Sequence, residues 1–268
     1  MQDKTKDFKS LIIGAFNELS ILVAREIVSS PGKFPIIYFS GGVGLGKSHL
    51  LNAIANEVTE THSDIRVVLT TARRLMKEMI LAIQERNLPD FQVKYTRDTD
   101  ILLIDDFEEL ENKTGTQGEF LNIINEMLSQ KKQTVIAGKG DPRSFKGFDE
   151  KITSRILGGG FVIKIQPPET DDFKNILKLK CNAAELDIQD ESLSALSSRA
   201  RSIRDLEGTV LALCAYRDIM GHGRANDIDD QTFERLFGSG FDNGATINET
   251  ANRRKLDIDI NVRIFRSS

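Results

Sequence analysis

The sequence lacks tryptophan, contains only two cysteines and six prolines, and has no long uninterrupted apolar run. Cys181 and Cys214 belong to no CxxC or Cys/His cluster, which excludes a disulfide framework and favours a reducing compartment. No run approaches the ~18 apolar residues of a membrane-spanning helix. The N-terminal segment MQDKTKDFKS also lacks the apolar region of a signal peptide. We therefore expect a cytoplasmic protein without a membrane partner.

An excess of positive charge is absent as well. The chain has 36 Lys and Arg against 40 Asp and Glu, which gives a net charge of −4. This balance excludes a protein that coats nucleic acid by bulk charge, so any such contact must be local. The 268 residues are 40% hydrophobic and 28% charged. These values exclude disorder of the whole chain and suit one large domain, with or without a small satellite.

Short apolar runs rich in β-formers alternate with longer stretches of helical periodicity. The predicted strands cover residues 36–39, 66–69, 101–104, 134–137 and 161–165. The third run is continuously apolar, as is typical of a strand covered on both faces. Strands that alternate with helices predict an α/β fold with a parallel sheet flanked by helices.

The pair Pro167-Pro168 is the best candidate for a domain boundary, because neither residue continues a helix or a central strand. We predict an α/β core over residues 1–167 and a small all-helical unit over 168–220, with helices at 173–186, 191–200 and 204–220. Residues 221–268 form an extension of unknown fold, with no basic recognition helix of a helix-turn-helix domain. Within it, residues 230–237 could form a short helix and 256–262 an edge strand or a flexible tail.

The sharpest motif fits the pattern G-x-x-x-x-G-K-[ST] and lies between a predicted strand and a predicted helix. Glycines allow the backbone to wrap around phosphates, and the helix N-terminus adds free N–H groups. Lys47 would contact the β- and γ-phosphates, and Ser48 would hold Mg²⁺. The alternative is a glycine turn with a chance lysine. The predicted cofactor-binding residues here are Gly41, Gly42, Val43, Gly44, Leu45, Gly46, Lys47, Ser48 and His49.

Two carboxylates, Asp105 and Asp106, end the third predicted strand. In a phosphate-loop fold this is the place of the acid that faces the metal. Asp105 would therefore orient the Mg²⁺ shell, and Asp106 would polarise an attacking water. The alternative, that both residues merely begin a loop, is weakened by the phosphate loop earlier in the chain.

Several segments together resemble the AAA+ core of the DnaA/Hda-like family of bacterial replication proteins, over about residues 8–217. They are GGVGLGKSHLLNAI, DILLIDD, the SRI segment before IQPPE, and RDLEG, with a short helical insertion before the acidic strand. The resemblance implies a phosphate-loop AAA+ sheet with a C-terminal helical lid. It also implies ATP or ADP with Mg²⁺ as cofactors, and the bacterial cytoplasm as the location.

The resemblance also implies roles for residues outside the two motifs. Arg155 matches the arginine finger that acts on the ATP of a neighbouring subunit, although alone it would suit a surface ion pair. Arg204 matches the second sensor in the lid, with a helix-capping salt bridge as the competing interpretation. Ile12 and Ile13 match the segment that packs against adenine, and both could equally belong to the core.

The insertion of the family carries single-stranded DNA contacts, and Ile80 and Lys113 occupy the matching positions. The residues that add local positive charge are Arg73, Arg74, Lys77, Lys94 and Arg97. A basic groove without aromatic side chains would follow phosphates rather than stack on bases. A solvated helix face is the alternative for each of them. Gly115, where the family has a basic residue, weakens the DNA interpretation.

Lys139 is the main departure from the family, because it stands at the first sensor in place of a small polar or acidic residue. A lysine is a donor only, so it can pair with the γ-phosphate or with Asp106 but cannot orient water as an acceptor. We therefore expect an ATPase whose hydrolysis is slow or absent.

Three functions follow from these patterns. The first is a DnaA-like, ATP-dependent assembly switch in the initiation of chromosomal replication or its regulation. It would contact its own kind or DnaA through the arginine finger, with single-stranded DNA, the replicative helicase and the sliding clamp as further candidate partners. The second is an Hda-like or other nucleotide-dependent protein-binding module with weak hydrolysis. The third is an ATPase of the helicase-loader type.

Overall fold

The computed structural model describes residues 3–220 of the chain. The predictions for residues 221–268, including the short helix and the edge strand, lie outside the described residues. Within the described part, no helix is both long enough and apolar enough to cross a membrane.

A single parallel sheet forms the centre of the fold. Its strands are β1 (Ile36–Ser40), β2 (Val67–Thr71), β3 (Ile101–Asp105), β4 (Gln133–Gly138) and β5 (Gly160–Lys164). Their order in the sheet is β2-β3-β4-β1-β5, and every neighbouring pair is parallel. The predicted strands are confirmed to within two residues at each end. Because the strands are parallel, the loops after β1, β3 and β4 meet at one edge.

Helices cover both faces of this sheet, which explains why the three central strands, β3, β4 and β1, are buried at every position. On one face lie α1 (Glu18–Ser29) and α2 (Lys47–Thr61), which pack on alternate strand residues such as Ile37, Leu103 and Val135. On the other face the remaining residues of the strands, including Tyr38, Leu102 and Ile104, contact four helices. They are α3 (Ala72–Gln84), α4 (Leu88–Tyr95), α5 (Thr114–Ser129) and α6 (Glu150–Gly159).

Three further helices follow the sheet: α7 (Thr170–Ala183), α8 (Asp190–Arg199) and α9 (Ile203–Met220). They share an apolar cluster of their own, which includes Leu177, Leu193 and Leu213 and is separate from the two clusters on the sheet. Phe16 also belongs to this cluster, and its carbonyl accepts a hydrogen bond of 2.9 Å from Gln166 N. The predicted helices are therefore present, whereas the domain boundary at residues 167–168 stays a prediction.

Candidate nucleotide-binding site

The phosphate loop, residues 41–48, connects β1 to α2. Gly44 and Gly46 have φ angles of 75° and 87°, a left-handed conformation that side chains with a Cβ rarely adopt. Gly46 is also the N-cap of α2, and no side chain caps this end of the helix. The N–H groups of the first turn are therefore free to bind an anion, which is the physical basis of phosphate binding at a helix N-terminus.

The Lys47 side chain lies across the loop that precedes it. Its Nζ donates hydrogen bonds to Gly41 O at 2.8 Å and to Gly42 O at 2.7 Å. Burial lowers the pKa of Lys47, and the nearby carboxylates of Glu108 and Asp105 oppose this effect. The ammonium group is thus held in a partly buried, acidic surrounding at the place where phosphates would enter.

Asp105 and Asp106 begin the acidic turn, which we define as residues 105–110. Asp105 is the last residue of β3, its side chain is largely buried, and its Oδ1 accepts a 2.9 Å hydrogen bond from Asp106 N. Asp106 has a φ of 53°, which is uncommon for a residue other than glycine. Burial raises the pKa of the Asp106 carboxyl, and the charges of Asp105 and Glu108 raise it further. A carboxylate with a raised pKa is a better proton acceptor near neutral pH.

The oxygen donors near the loop fit Mg²⁺. Within residues 3–220, neither Ser48 Oγ nor Asp105 Oδ2 forms a hydrogen bond, so both oxygens keep free lone pairs. Mg²⁺ prefers such hard oxygen ligands and commonly takes one or two from the protein, with the rest from phosphates and water. The residues expected to hold the metal therefore have suitable chemistry.

Most of the predicted cofactor-binding residues line one cavity, which we call the nucleotide cavity. It is lined by residues 43–49 of the loop and α2, by Ile12, and by Asp106 and Arg204. Ile13 does not line this cavity, and it is 56% exposed. Of the pair expected against adenine, only Ile12 therefore faces the nucleotide cavity.

Sequence reasoning missed the N-terminal segment as a wall of this cavity, to which Lys6 and Ser10 contribute. Three polar residues of α2 hold the segment in place. His49 Nε2 lies 3.1 Å from Ser10 Oγ, Asn52 Oδ1 accepts from Asp3 N at 2.8 Å, and Asn56 Nδ2 donates to Lys6 O at 2.8 Å. The signal that could have found it was the helical spacing of these polar residues, which places them on one face of α2.

Arg204 lies at the start of α9 and lines the nucleotide cavity. A Cβ at Gly44 would lie 2.8 Å from Ser202 Cβ and 3.3 Å from Arg204 Cβ, so the loop passes close to the start of α9, in the part of the chain predicted to be the lid. The competing interpretation was a salt bridge to Asp205 or Glu207. Asp205 instead accepts from Arg201 N at 2.9 Å, and Glu207 pairs with Lys180 at 2.8 Å. Within residues 3–220, Arg204 forms no ion pair.

Arg155 lies elsewhere. It is exposed on α6, does not line the nucleotide cavity, and forms no ion pair within the described part of the chain. Arg155 therefore does not contribute to the nucleotide cavity of the chain to which it belongs. This position is compatible with a finger that reaches a neighbour, and it does not suit the alternative of a surface ion pair.

Lys139 follows β4 at the same edge of the sheet. Its backbone N donates a 2.9 Å hydrogen bond to Glu108 Oε2 in the acidic turn. The residue lines an adjoining cavity between the phosphate loop and the end of β5, together with Arg143 and Lys164, rather than the nucleotide cavity. Its charge nevertheless helps to lower the pKa of Lys47.

The candidate DNA-binding face carries less unpaired positive charge than its sequence indicates. Ile80 is 45% exposed on α3, and Lys113 is exposed at the N-cap of α5. Most of the added positive charge is neutralised: the ion pairs are Arg73–Glu109, Arg74–Glu78 and Lys94–Glu78. Lys77, Arg97 and Lys113 form no ion pair within residues 3–220 and are the cations left for a phosphate backbone.

The family described as "Bacterial DnaA ATPAse domain" matches residues 2–164, which is more than half of the chain. The DnaA of Thermotoga petrophila is 32% identical over 215 residues, which cover 80% of this chain and 49% of that protein. The DnaA of Levilactobacillus brevis is 31% identical over 258 residues, covering 96% of this chain and 57% of the relative. The chain thus spans about half the length of the curated relatives that it matches.

Solved structures agree with this similarity. Domain III of Thermotoga maritima DnaA superposes with a TM-score of 0.81 at 29% identity, covering 88% of this chain and 97% of that domain. A DnaA bound to AMPPCP and single-stranded DNA gives 0.75 at 27% identity, covering 80% and 66%. The Thermotoga maritima RuvB branch migration motor, at 0.57 and 17% identity with 86% and 70% covered, shares the fold alone. The chain belongs to the bacterial DnaA ATPase-domain family of AAA+ proteins.

Proposed function

We propose that this chain binds ATP with Mg²⁺ and that bound ATP, but not ADP, lets copies assemble head to tail. The observation that carries the proposal is the different placement of two arginines. Arg204 lines the cavity beside the chain's own phosphate loop, whereas Arg155 is exposed on α6 and unpaired within residues 3–220. A site that needs a side chain from another copy makes a heterologous contact, which generates rings or open helices.

Each of the site residues has a separate role in this scheme. The free N–H groups at the start of α2 and the Lys47 ammonium bind the phosphates, and Arg204 recognises the γ-phosphate from the lid. Asp106, with its raised pKa, accepts a proton from the attacking water. Ser48 and Asp105 would hold Mg²⁺, which would neutralise charge on the phosphate oxygens when bound. Arg155 of the next copy stabilises the charge of the transition state.

The biological role that we propose is the initiation of chromosomal replication or its regulation, in the bacterial cytoplasm. The support is the name of the relatives, chromosomal replication initiator protein DnaA, together with about half of their length in common. The partner would then be either DnaA or a second copy of this chain, because both would present the same kind of interface.

Single-stranded DNA is the nucleic-acid ligand that we propose for the face around Ile80 and Lys113. A DnaA of known structure binds single-stranded DNA, and here Ile80 is exposed and Lys113 and Lys77 carry unpaired charge within residues 3–220. With so few free cations, we expect weak binding with a shallow dependence on salt. Fluorescence anisotropy of a labelled oligonucleotide at several salt concentrations, with Lys113→Ala for comparison, tests this expectation.

Light scattering tests the assembly switch. The solution mass is measured with ATP–Mg²⁺ and with ADP–Mg²⁺ for the wild type and for Lys47→Ala as a control that cannot hold phosphates. We expect larger species only for the wild type with ATP. A monomer under both conditions would contradict self-assembly and would favour the Hda-like module, whose second half is a different protein.

A further inference from the structure

A glutamine that the scheme above does not use is buried between the acidic turn and α6. Gln117 lies in α5 and is 1% exposed. Its Nε2 donates to Leu110 O at 2.7 Å and to Gly147 O at 2.8 Å, and its Oε1 accepts from Asp149 N at 2.8 Å. Both N–H groups of the amide and its oxygen are therefore engaged, each with the backbone of a different residue.

The three partners connect the nucleotide site to the finger. Leu110 ends the acidic turn that begins at Asp105. Asp149 is the N-cap of α6, and its Oδ1 accepts from Lys151 N at 2.8 Å. Arg155 lies in the second turn of that helix. One buried side chain thus joins the turn that carries the catalytic carboxylates to the start of the helix that carries the arginine.

The surrounding contacts reinforce this connection. Gly147 O also accepts from Asn112 N at 2.9 Å, which gives the loop before α6 a second bond to the segment after the acidic turn. The Phe107 ring lies 5.1 Å from Phe148 and 6.0 Å from Phe145, measured between ring centroids. The acidic turn and the loop before α6 are therefore one packed unit, and Gln117 supplies the directional bonds within it.

We propose that Gln117 is a positioning residue that fixes α6, and with it Arg155, relative to the acidic turn. This inference rests on the proposed role of Arg155 as a finger. Packing alone needs only an apolar side chain of this size, whereas three directed hydrogen bonds define the angle at which α6 leaves the loop.

The test separates the two sides of one interface. The finger donor is the Lys47→Ala chain, which cannot hold nucleotide, and it carries a fluorescent label. The acceptor is the Arg155→Ala chain, loaded with ATP–Mg²⁺ or ADP–Mg²⁺. The readout is the ratio of the association constants with ATP and with ADP, which does not require hydrolysis. Gln117→Leu is then placed either on the donor or on the acceptor.

We expect Gln117→Leu on the donor to reduce the ATP/ADP ratio about tenfold, because a displacement of about 1 Å is enough to spoil such a contact. On the acceptor the same substitution should change the ratio less than twofold. Equal losses in the two arrangements, or a larger loss on the acceptor, would overturn the proposal.

Two further variants guard against a simple folding defect. Gly147→Ala alters the same loop from the surface, because Gly147 is exposed with a φ of 75° and its Cβ would clash with Asn112 Oδ1. We expect the same asymmetry between donor and acceptor. Gln130→Leu, at the exposed end of α5, is the matched control and should leave the ratio unchanged. If neither Gln117→Leu nor Gly147→Ala acts through the donor, the proposal is wrong.

The failure of this inference can be told apart from failure of the proposed function. A donor with both Lys47→Ala and Arg155→Ala provides the reference for a missing finger. If that donor keeps the full preference for ATP, Arg155 is not the finger and the proposed function fails. If that donor loses the preference but the Gln117→Leu donor keeps it, only the role of Gln117 is contradicted.

Discussion

Two regions of this molecule contrast in how complete they are. Around the phosphate loop, Lys47, Asp106 and Arg204 converge on one cavity, with backbone N–H groups and oxygen ligands beside it. On α6, Arg155 is exposed and touches no carboxylate within residues 3–220. The first region has what it needs to bind a nucleotide in one chain. In the proposed scheme the second acts on the phosphates of another copy, so we expect nucleotide binding and assembly to depend on different residues.

The largest effect that we expect separates these regions in nucleotide affinity. Arg204→Ala removes a charged hydrogen-bond donor from the cavity and should weaken ATP binding by about 10-fold to 100-fold, since such bonds contribute about 1.5–3 kcal/mol. Arg155→Ala should change the affinity less than about twofold. Isothermal titration calorimetry on isolated monomers measures both. Equal losses in the two variants would mean that the regions are not distinct.

A second prediction concerns hydrolysis. Lys139→Asp replaces a donor with an acceptor at the end of β4 and also removes a charge that lowers the pKa of Lys47. We expect steady-state turnover to rise by about a hundredfold, the lower end of what a positioned proton-transfer group typically contributes. Lys164→Asp, which changes the charge in the same adjoining cavity, is the control and should leave turnover low. No rise in the first variant would contradict the role given to Lys139.

A third prediction sharpens the contact between loop and lid. Gly44→Ala forces a Cβ into a left-handed backbone and to within 2.8 Å of Ser202 Cβ, so the free energy of unfolding should fall by about 2 kcal/mol. Gly118→Ala, in α5 with no atom within 4 Å of the added carbon, is the matched control. It should raise stability by about 0.5–1 kcal/mol. Urea denaturation measures both, and a neutral Gly44→Ala would show that the loop and the lid are not in contact.

The smallest effect that we expect concerns the ion pairs of Glu78 on α3, away from both regions. Burial alone would raise the pKa of Glu78, but hydrogen bonds from Lys94, Tyr95 and Arg74 lower it to about 2. A lowered pKa in the folded state stabilises the protein above the ordinary value of 4.5, and this stability is lost as the pH falls from 4.5 towards 2. Glu78→Gln should therefore cost about 1 kcal/mol near neutral pH and nothing near pH 2. A cost that is independent of pH would assign the effect to packing.

The sequence predicted the parts of this structure that local pattern determines. The five strands and the glycine loop follow from apolar runs and from one motif, because each is encoded within about ten residues. The wall formed by Lys6 and Ser10 was missed, because it depends on hydrogen bonds between the N-terminus and α2, more than 40 residues apart. The pairing of Lys94 with Glu78 was missed because the two residues are 16 positions apart. Arg74 and Glu78 are an i,i+4 pair on α3, which the helical spacing could have predicted.

Some features of the site could be predicted from the sequence and others could not. Lys47 and Asp106 lie together because the ends of parallel strands share one edge of the sheet. Ile12 lines the nucleotide cavity whereas Ile13 is exposed. This difference could not be predicted from spacing, because neighbouring residues in a loop do not alternate regularly between two faces as they do in a strand. The lid boundary and the roles of Arg155, Arg204 and Lys139 stay predictions, since each depends on a ligand or a neighbour.

The central claim is that Arg155 serves a neighbouring copy and not its own. The most direct measurement is the solution mass of Arg155→Ala by light scattering with ATP–Mg²⁺ at a concentration that saturates the chain, next to the wild type. The account predicts a variant that is fully loaded with ATP and remains a monomer while the wild type assembles. ATP-dependent assembly of Arg155→Ala to the same mass as the wild type would contradict it.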